Sequence, residues 1–164
     1  MEKLSYTHAQ LRAVLERTKT IAVVGVSLNE VRPSYYVARY LKLKGYKVLP
    51  VNPRYAGQEA FGEKVHASLD AIPQAHDPIQ MVDIFRRSEE AGAVVDEALE
   101  ALLDRGLETI WMQIGVIDRD AARRAEAKGV TVIMNHCPKM EYQRLWGELS
   151  WGGINSGVLS AKLR

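Results

Sequence analysis

The chain reads as a doubly wound α/β domain: one Rossmann-like parallel sheet of about five strands in a three-layer α/β/α arrangement. Three observations predict this. Short apolar runs alternate with segments of helical spacing all the way from Ile21 to Met134. Strands separated by helices of this length need right-handed crossovers, which make the strands parallel and bury them on both faces. The first apolar run, Ile21-Ala22-Val23-Val24, ends on Gly25, and a polar loop then opens into a helix at Pro33.

In order, residues 7–17 carry Leu11, Val14 and Leu15 on one helical face, with Thr7 as N-cap. Ile21–Val24 is the first strand. Pro33 suits the first turn of the next helix, where its missing N–H has no intrahelical partner. Val37, Leu41 and Tyr40 face inward, and Gly45 closes that helix. Lys47-Val48-Leu49-Pro50-Val51 is the second strand, expected to be irregular near its end because Pro50 removes a ladder donor. Asn52-Pro53-Arg54-Tyr55-Ala56-Gly57 is turn chemistry. It leads into a loop-rich stretch as far as Pro78, with one short helical turn expected over Leu69–Pro73.

Ile79–Phe85 is the third strand. Ser88 is expected to cap the following helix, with Glu89 and Glu90 in the first turn, where the helix dipole favours acids. Val94, Val95, Ala98, Leu99 and Leu102 form its inner face and Gly106 stops it. Thr109–Gln113 is the fourth strand, Asp118 caps a helix ending at Lys128-Gly129, and Val130–Met134 is the fifth strand. Alternation sends Trp111 and Met112 to opposite faces of the sheet, so both are core. From Trp146 onward no periodicity is visible, and residues 147–164 read as a loosely ordered tail packing back through Trp151 or Ile154. The organisation is a helix over 1–19, the Rossmann-like domain over 20–140 and a C-terminal extension over 141–164.

A chain of 164 residues is one domain's worth. The formal charge of +2 is spread among acids, which excludes a general nucleic-acid footprint. No run approaches the roughly 18 apolar residues of a membrane span, and Met1-Glu2-Lys3 leads into a polar helix, not a signal peptide. Cys137, the single cysteine, has no disulfide or CxxC partner, which fits a reducing, cytoplasmic setting. His8, His66 and His76 lack metal-ligand spacing and are expected at the surface; no metal site is assigned.

In an open parallel sheet, ligands bind beyond the carboxyl ends of the strands, near the point where strand order reverses. The residues there are Gly25-Val26-Ser27, Asn52-Pro53-Arg54, Phe85-Arg86-Arg87, Gln113-Ile114-Gly115 and Asn135-His136-Cys137-Pro138. They supply three arginines, amides and a hydroxyl, and no carboxylate. Such a rim suits an anionic ligand, because a guanidinium forks two N–H bonds onto phosphate oxygens. Gly25 with the Arg32-Pro33-Ser34 helix start has the form of a phosphate grip: backbone N–H groups, the positive end of a helix dipole, and one cation.

The dinucleotide pattern G-x-G-x-x-G is not met, since Ser27 and Glu30 stand where its later glycines fall. The second strand ends on Asn52 and Arg54 rather than on the acid that holds the ribose 2′-OH of NAD. A cation there suits an extra ribose phosphate, which NADP and coenzyme A both carry. At least one of Arg86 and Arg87 is expected to be a solvated surface charge. Adjacent residues seldom point at each other, so His136 and Cys137 read as a packed turn and not as a nucleophile pair. No catalytic residue is assigned.

Taken in order, these segments resemble the coenzyme A-binding domain family. That fold is also the N-terminal nucleotide domain of the α-subunit of succinyl-CoA synthetase and of related acyl-CoA synthetases, and this chain is most similar to the small stand-alone members. The resemblance covers about residues 20–140. It rests on Ile21–Ser27 with Arg32-Pro33-Ser34, Gly45–Pro53, Val82-Asp83-Ile84-Phe85-Arg86, Trp111–Val116 and Asn135–Pro138. It implies that Gly25, Val26, Ser27 and the Arg32–Ser34 loop wrap a pyrophosphate. Asn52 and Pro53 would border the adenosine, with Lys47 or Arg54 meeting the 3′-phosphate. Val82, Phe85 and Arg86 would lie along the nucleotide, and Gln113, Cys137 and Pro138 along the pantetheine path.

Two departures qualify the resemblance. The synthetases' loop carries more glycines than Gly25-Val26-Ser27-Leu28, so a different phosphate geometry is expected. The synthetases also phosphorylate a histidine in a second domain, to which nothing before Arg164 corresponds; His136 is not its counterpart. The resemblance therefore implies binding of coenzyme A or an acyl-CoA without chemistry by this chain alone, with a partner protein or a homodimer as the further expectation. Two alternatives stand beside it. One is a partner-dependent subunit of an acyl-CoA synthetase. The other is an NAD(P)-binding redox sensor or reductase, disfavoured by the missing glycines and the missing acid.

Overall fold

The computed structural model describes residues 4–148. Helix α1 (His8–Arg17) begins on a full capping box. Thr7 Oγ1 accepts the Gln10 N–H at 3.0 Å and Gln10 Oε1 accepts the Thr7 N–H at 2.7 Å. Strand β1 (Thr20–Val24) leads to α2 (Pro33–Leu43) and β2 (Lys47–Val51). The loop beyond holds a small antiparallel hairpin, β3 (Glu59–Ala60) with β4 (Glu63–Lys64). Then come β5 (Met81–Ile84), α3 (Ser88–Leu102), β6 (Thr109–Met112), α4 (Arg119–Glu126), β7 (Thr131–Ile133) and α5 (Pro138–Leu145).

The main sheet has the order β2-β1-β5-β6-β7 and every neighbouring pair is parallel. This is the five-stranded, doubly wound Rossmann-like domain that the alternation predicts. Side chains alternate between two cores, as the period of two in a strand requires. Ala22, Val24, Leu49, Val51, Val82, Ile84, Ile110 and Met112 pack with α3 and α4, whose contact faces are built from Ala91, Val95, Ala98, Leu102, Ala121 and Ala125. Ile21, Val23, Val48, Met81, Trp111 and Ile133 pack with α1, α2 and α5 through Leu11, Leu15, Val37 and Leu41. No helix among the described residues is long and apolar enough to cross a membrane.

Several local expectations change. Strand β2 stays regular through Val51, because it is the sheet edge. Lys47 and Val51 bond to the β1 side, so Pro50 faces outward; its carbonyl accepts the His66 N–H at 3.0 Å and its missing donor breaks no ladder bond. Ser88 does not cap α3; Arg87 holds the N-cap position. The Ser88 hydroxyl instead donates to the Gly115 carbonyl at 3.2 Å and accepts the Ile117 N–H at 3.0 Å, tying α3 to the loop after β6.

The helical turn expected at Leu69–Pro73 is a single turn closed by Ile72 N–H to the Leu69 carbonyl, 3.2 Å, and a 3₁₀ turn follows at Gln74–His76. His66 and His76 are half-buried and face each other edge to ring, not free at the surface. Helix α5 has no counterpart in the sequence reading and runs across residue 140, where that reading ended the domain. Trp151 and Ile154 lie outside the described residues.

Candidate functional site

Strand order reverses between β1 and β5, and the carboxyl ends of those strands are drawn together there. Gly25 N–H donates to the Val51 carbonyl at 2.9 Å, and Phe85 N–H donates to the Val24 carbonyl at 2.8 Å. Gly25 has φ +88°, and a β-carbon on it would stand 2.1 Å from the Phe85 carbonyl oxygen. Only glycine allows so close a backbone approach with a left-handed φ.

Above this junction opens a cleft of about 1260 Å³, above the roughly 300–1,000 Å³ usual for small-molecule sites. Gly25, Ser27, Arg32, Pro33 and Ser34 line it from the β1–α2 side, and Asn52, Pro53 and Arg54 from the end of β2. Phe85 and Arg86 line it after β5, and Gln113 and Cys137 after β6 and β7. The four remaining predicted residues stand elsewhere. Val82 is fully buried against α3 and α4. Val26 is buried in the opposite core and offers only its carbonyl, which accepts a bond from Asn52 Nδ2 at 2.9 Å. Pro138 is buried as the first residue of α5. Lys47 begins β2, paired with Thr20, at the amino end of the sheet. Four residues of strand, about 13 Å, separate it from the end of β2 that the cleft touches, so Arg54 is the candidate of the two that reaches the cleft.

The β1–α2 loop is not an open cradle of N–H groups. Ser34 Oγ accepts the Ser27 N–H at 2.8 Å, Ser27 Oγ accepts the Asn29 N–H at 3.0 Å, and Asn29 Oδ1 accepts the Val31 N–H at 3.2 Å. Side chains do here what extra glycines would leave to a ligand. Asn52, 7 % exposed, is a clip: beside its bond to Val26, its Oδ1 accepts the Arg54 N–H at 3.0 Å.

The charge at the site comes from side chains. Among the described residues, Arg32, Arg54, Arg86, Arg87 and Lys139 line the cleft and no carboxylate does. Arg87 is the surface member of its pair, bonded to Glu90 at 2.8 Å and 80 % exposed. Among the described residues Arg32, Arg54 and Arg86 have no carboxylate partner; the Arg54 guanidinium lies 5.5 Å from the centre of the Tyr55 ring.

Cys137 occupies the N-cap position of α5. Burial pushes its thiol up; bonds from the Met140 N–H and the Gln113 side chain pull less strongly the other way. Its neighbour His136 faces elsewhere, with Nδ1 2.8 Å from the Met134 carbonyl oxygen and its ring edge-on to Tyr6. Among the described residues, two polar groups near this end lack partners. Gln113 Oε1 is buried without a donor, and Asp83 is fully buried with neither oxygen bonded. Desolvation holds the Asp83 carboxyl well above the usual carboxylate range.

Sequence reasoning missed Tyr36, Val37, Lys139 and Met140. The first two lie one helical turn beyond the Arg32–Ser34 loop, which was the available signal. The others needed α5, whose start is marked by Pro138 with Glu141 in the first turn.

A doubly wound domain with a large, cationic cleft at its switch point belongs to the Rossmann-like α/β class. The sequence pattern of the CoA binding domain matches residues 19–143, and the chain belongs to that family. It is 37% identical over 134 residues to the protein YneT of Bacillus subtilis (strain 168), covering 82% of this chain and 93% of that one. A solved structure from Thermus thermophilus is 35% identical with a TM-score of 0.76, covering 85% of this chain and 99% of that one. Acetyl-coenzyme A synthetase 1 of Ca. Korarchaeum cryptofilum, solved with phosphate and ADP, shares the fold at a TM-score of 0.56 and 24% identity. That match spans 70% of this chain but 25% of the synthetase, so the likeness is to one region of the larger enzyme.

Proposed function

We propose that this chain binds coenzyme A or an acyl-CoA in the cleft at the carboxyl ends of β1, β2 and β5, and by itself does no chemistry on it. One observation carries the reading: Arg32, Arg54 and Arg86 line one cleft, and no carboxylate lines it among the described residues. Arg32 and Arg86 flank the Gly25 junction and suit the pyrophosphate; Arg54, beyond the Asn52 clip, suits the ribose 3′-phosphate. Phe85 supplies an apolar wall. The residues toward the β6 side also fit the ligand, since an amide N–H of the pantetheine arm is the kind of donor that Gln113 Oε1 lacks. The non-catalytic part rests on Cys137, whose thiol is buried and bonded to Gln113 and backbone N–H groups rather than to a base. We place the protein in the cytoplasm, where a lone buried thiol stays reduced.

The test is thermal stabilisation by coenzyme A, dephospho-coenzyme A, NADH and NADPH. A ligand at about 100 times its dissociation constant adds roughly 2.7 kcal/mol. The expected order is coenzyme A above dephospho-coenzyme A, with the nicotinamide cofactors inert. Stabilisation by NADH without coenzyme A refutes the reading. Acyl-CoA formation by the purified chain with ATP or GTP refutes its non-catalytic part.

A further inference from the structure

The cleft is chemically divided. Its arginines stand at the ends of β1, β2 and β5, whereas past Gln113 and Cys137 the lining turns to Ile114, Gly115, Val116 and Met140, with Lys139, 7% exposed, as the cation of that side among the described residues. Ile114 and Met140 line that end and are unusually exposed for large apolar side chains, at 54% and 42%. Val37 and Val116 line the same cleft and are buried. Ile114 stands two residues past the end of β6 and Met140 in the first turn of α5. Gln113 and Cys137, bonded to each other, stand between the two halves.

We infer that the ligand is a coenzyme A thioester carrying an apolar acyl chain, which covers Ile114 and Met140; this rests on the coenzyme A reading above. An amphiphile with phosphates at one end and a hydrocarbon chain at the other matches both halves of the cleft, and free coenzyme A matches only the first. The pantetheine arm passes Gln113, and the thioester sulfur emerges on the apolar side of Cys137. The extra surface removed from water then belongs to the exposed side chains of Ile114 and Met140.

The experiment is titration calorimetry of the full chain with coenzyme A, acetyl-CoA and octanoyl-CoA, repeated on the double variant Ile114→Ser, Met140→Ser. Both positions are exposed, so the variant is expected to melt close to the parent. Burying even part of a six-methylene extension is expected to make octanoyl-CoA bind at least about tenfold tighter than coenzyme A. In the double variant that ratio falls toward one. Equal affinities for coenzyme A and octanoyl-CoA in the parent overturn this inference while leaving the coenzyme A reading intact. A tenfold preference that survives the double substitution overturns the placement of the chain on Ile114 and Met140. Failure of all three compounds to bind overturns the coenzyme A reading, and this inference with it.

Discussion

Asp83 gives the sharpest physical test of the fold around the site. Its side chain lies in the middle of the sheet, between Val23 of β1 and Trp111 of β6 in register, at 0% exposure. Neither carboxyl oxygen has a hydrogen-bond partner among the described residues, and burial alone drives its pKa well above the carboxylate range. An ionised carboxylate there would be a buried charge without compensation, so the folded protein holds Asp83 protonated. The unfolded chain ionises it near a pKa of about 3.9.

Between those two pKa values the folded state binds more protons than the unfolded state. Stability therefore falls as pH rises, by up to about 1.4 kcal/mol per pH unit. The loss is absent below the unfolded pKa, accumulates above it, and stops growing once the pH passes the folded pKa. From pH 5 to pH 7 it reaches up to about 2.7 kcal/mol. Asp83→Asn has nearly the same shape and no titration. Its buried amide adds an offset of about 1–3 kcal/mol that does not change with pH.

The quantity to measure is therefore a difference of differences: urea midpoints of parent and Asp83→Asn at pH 5, 6 and 7, with equal m-values. The variant is expected to gain on the parent by up to about 1.4 kcal/mol with each unit, or about 3–6 °C in parallel melts. Cys137, the titratable group whose thiol senses Asp83, is pushed upward by burial and stays protonated over this range. Parallel curves for the two proteins would refute the argument, because they would mean that Asp83 is ionised in the folded state.

Gly25→Ala is expected to cost about 2–5 kcal/mol, combining the left-handed penalty with displacement of the Phe85 carbonyl, and to abolish ligand stabilisation; denaturant melts with and without coenzyme A check both. Arg86→Ala and Arg32→Ala should each weaken coenzyme A binding tenfold or more by calorimetry, with a flatter salt dependence than the parent. Arg54→Ala should make coenzyme A and dephospho-coenzyme A bind alike, whereas Lys47→Ala should leave their difference intact. Thr7→Ala removes one side of the α1 capping box and should lower stability by about 1 kcal/mol in the same melts.

The sheet was legible because each strand is a compact apolar run whose alternating residues feed two separate cores, and no tertiary contact had to override that pattern. Pro50 was misjudged because sequence does not say which strand is the edge; at an edge its missing N–H faces outward and breaks no bond. Ser88 looks like a cap in sequence, but the loop after β6 competes for its hydroxyl and wins. Helix α5 escaped because its inward residues, such as Lys139 and Gln143, are polar; in the fold they are buried, with Lys139 over the ring of Tyr40 and bonded to Gln143. At the site, the residues that follow strands were readable from position alone. Lys47 and Val82 entered through the family resemblance, yet one begins its strand and the other points into the core beneath α3.

The β1–α2 loop bears on how such a site discriminates between anions. The N–H groups of Ser27, Asn29 and Val31 are taken by Ser34, Ser27 and Asn29, which leaves fewer fixed backbone donors to define a phosphate's position. In the proposed site, recognition would then fall to guanidinium groups on flexible stems. A fork of N–H donors on a stem follows the ligand over a wide cleft, which a rigid glycine loop cannot do, but its attraction is screened by salt and its ordering costs side-chain entropy. A site built this way holds its ligand by charge at one end and needs a second anchor to fix the other. Among the described residues, the anchor available is the apolar end at Ile114 and Met140, reached past the unpartnered oxygen of Gln113.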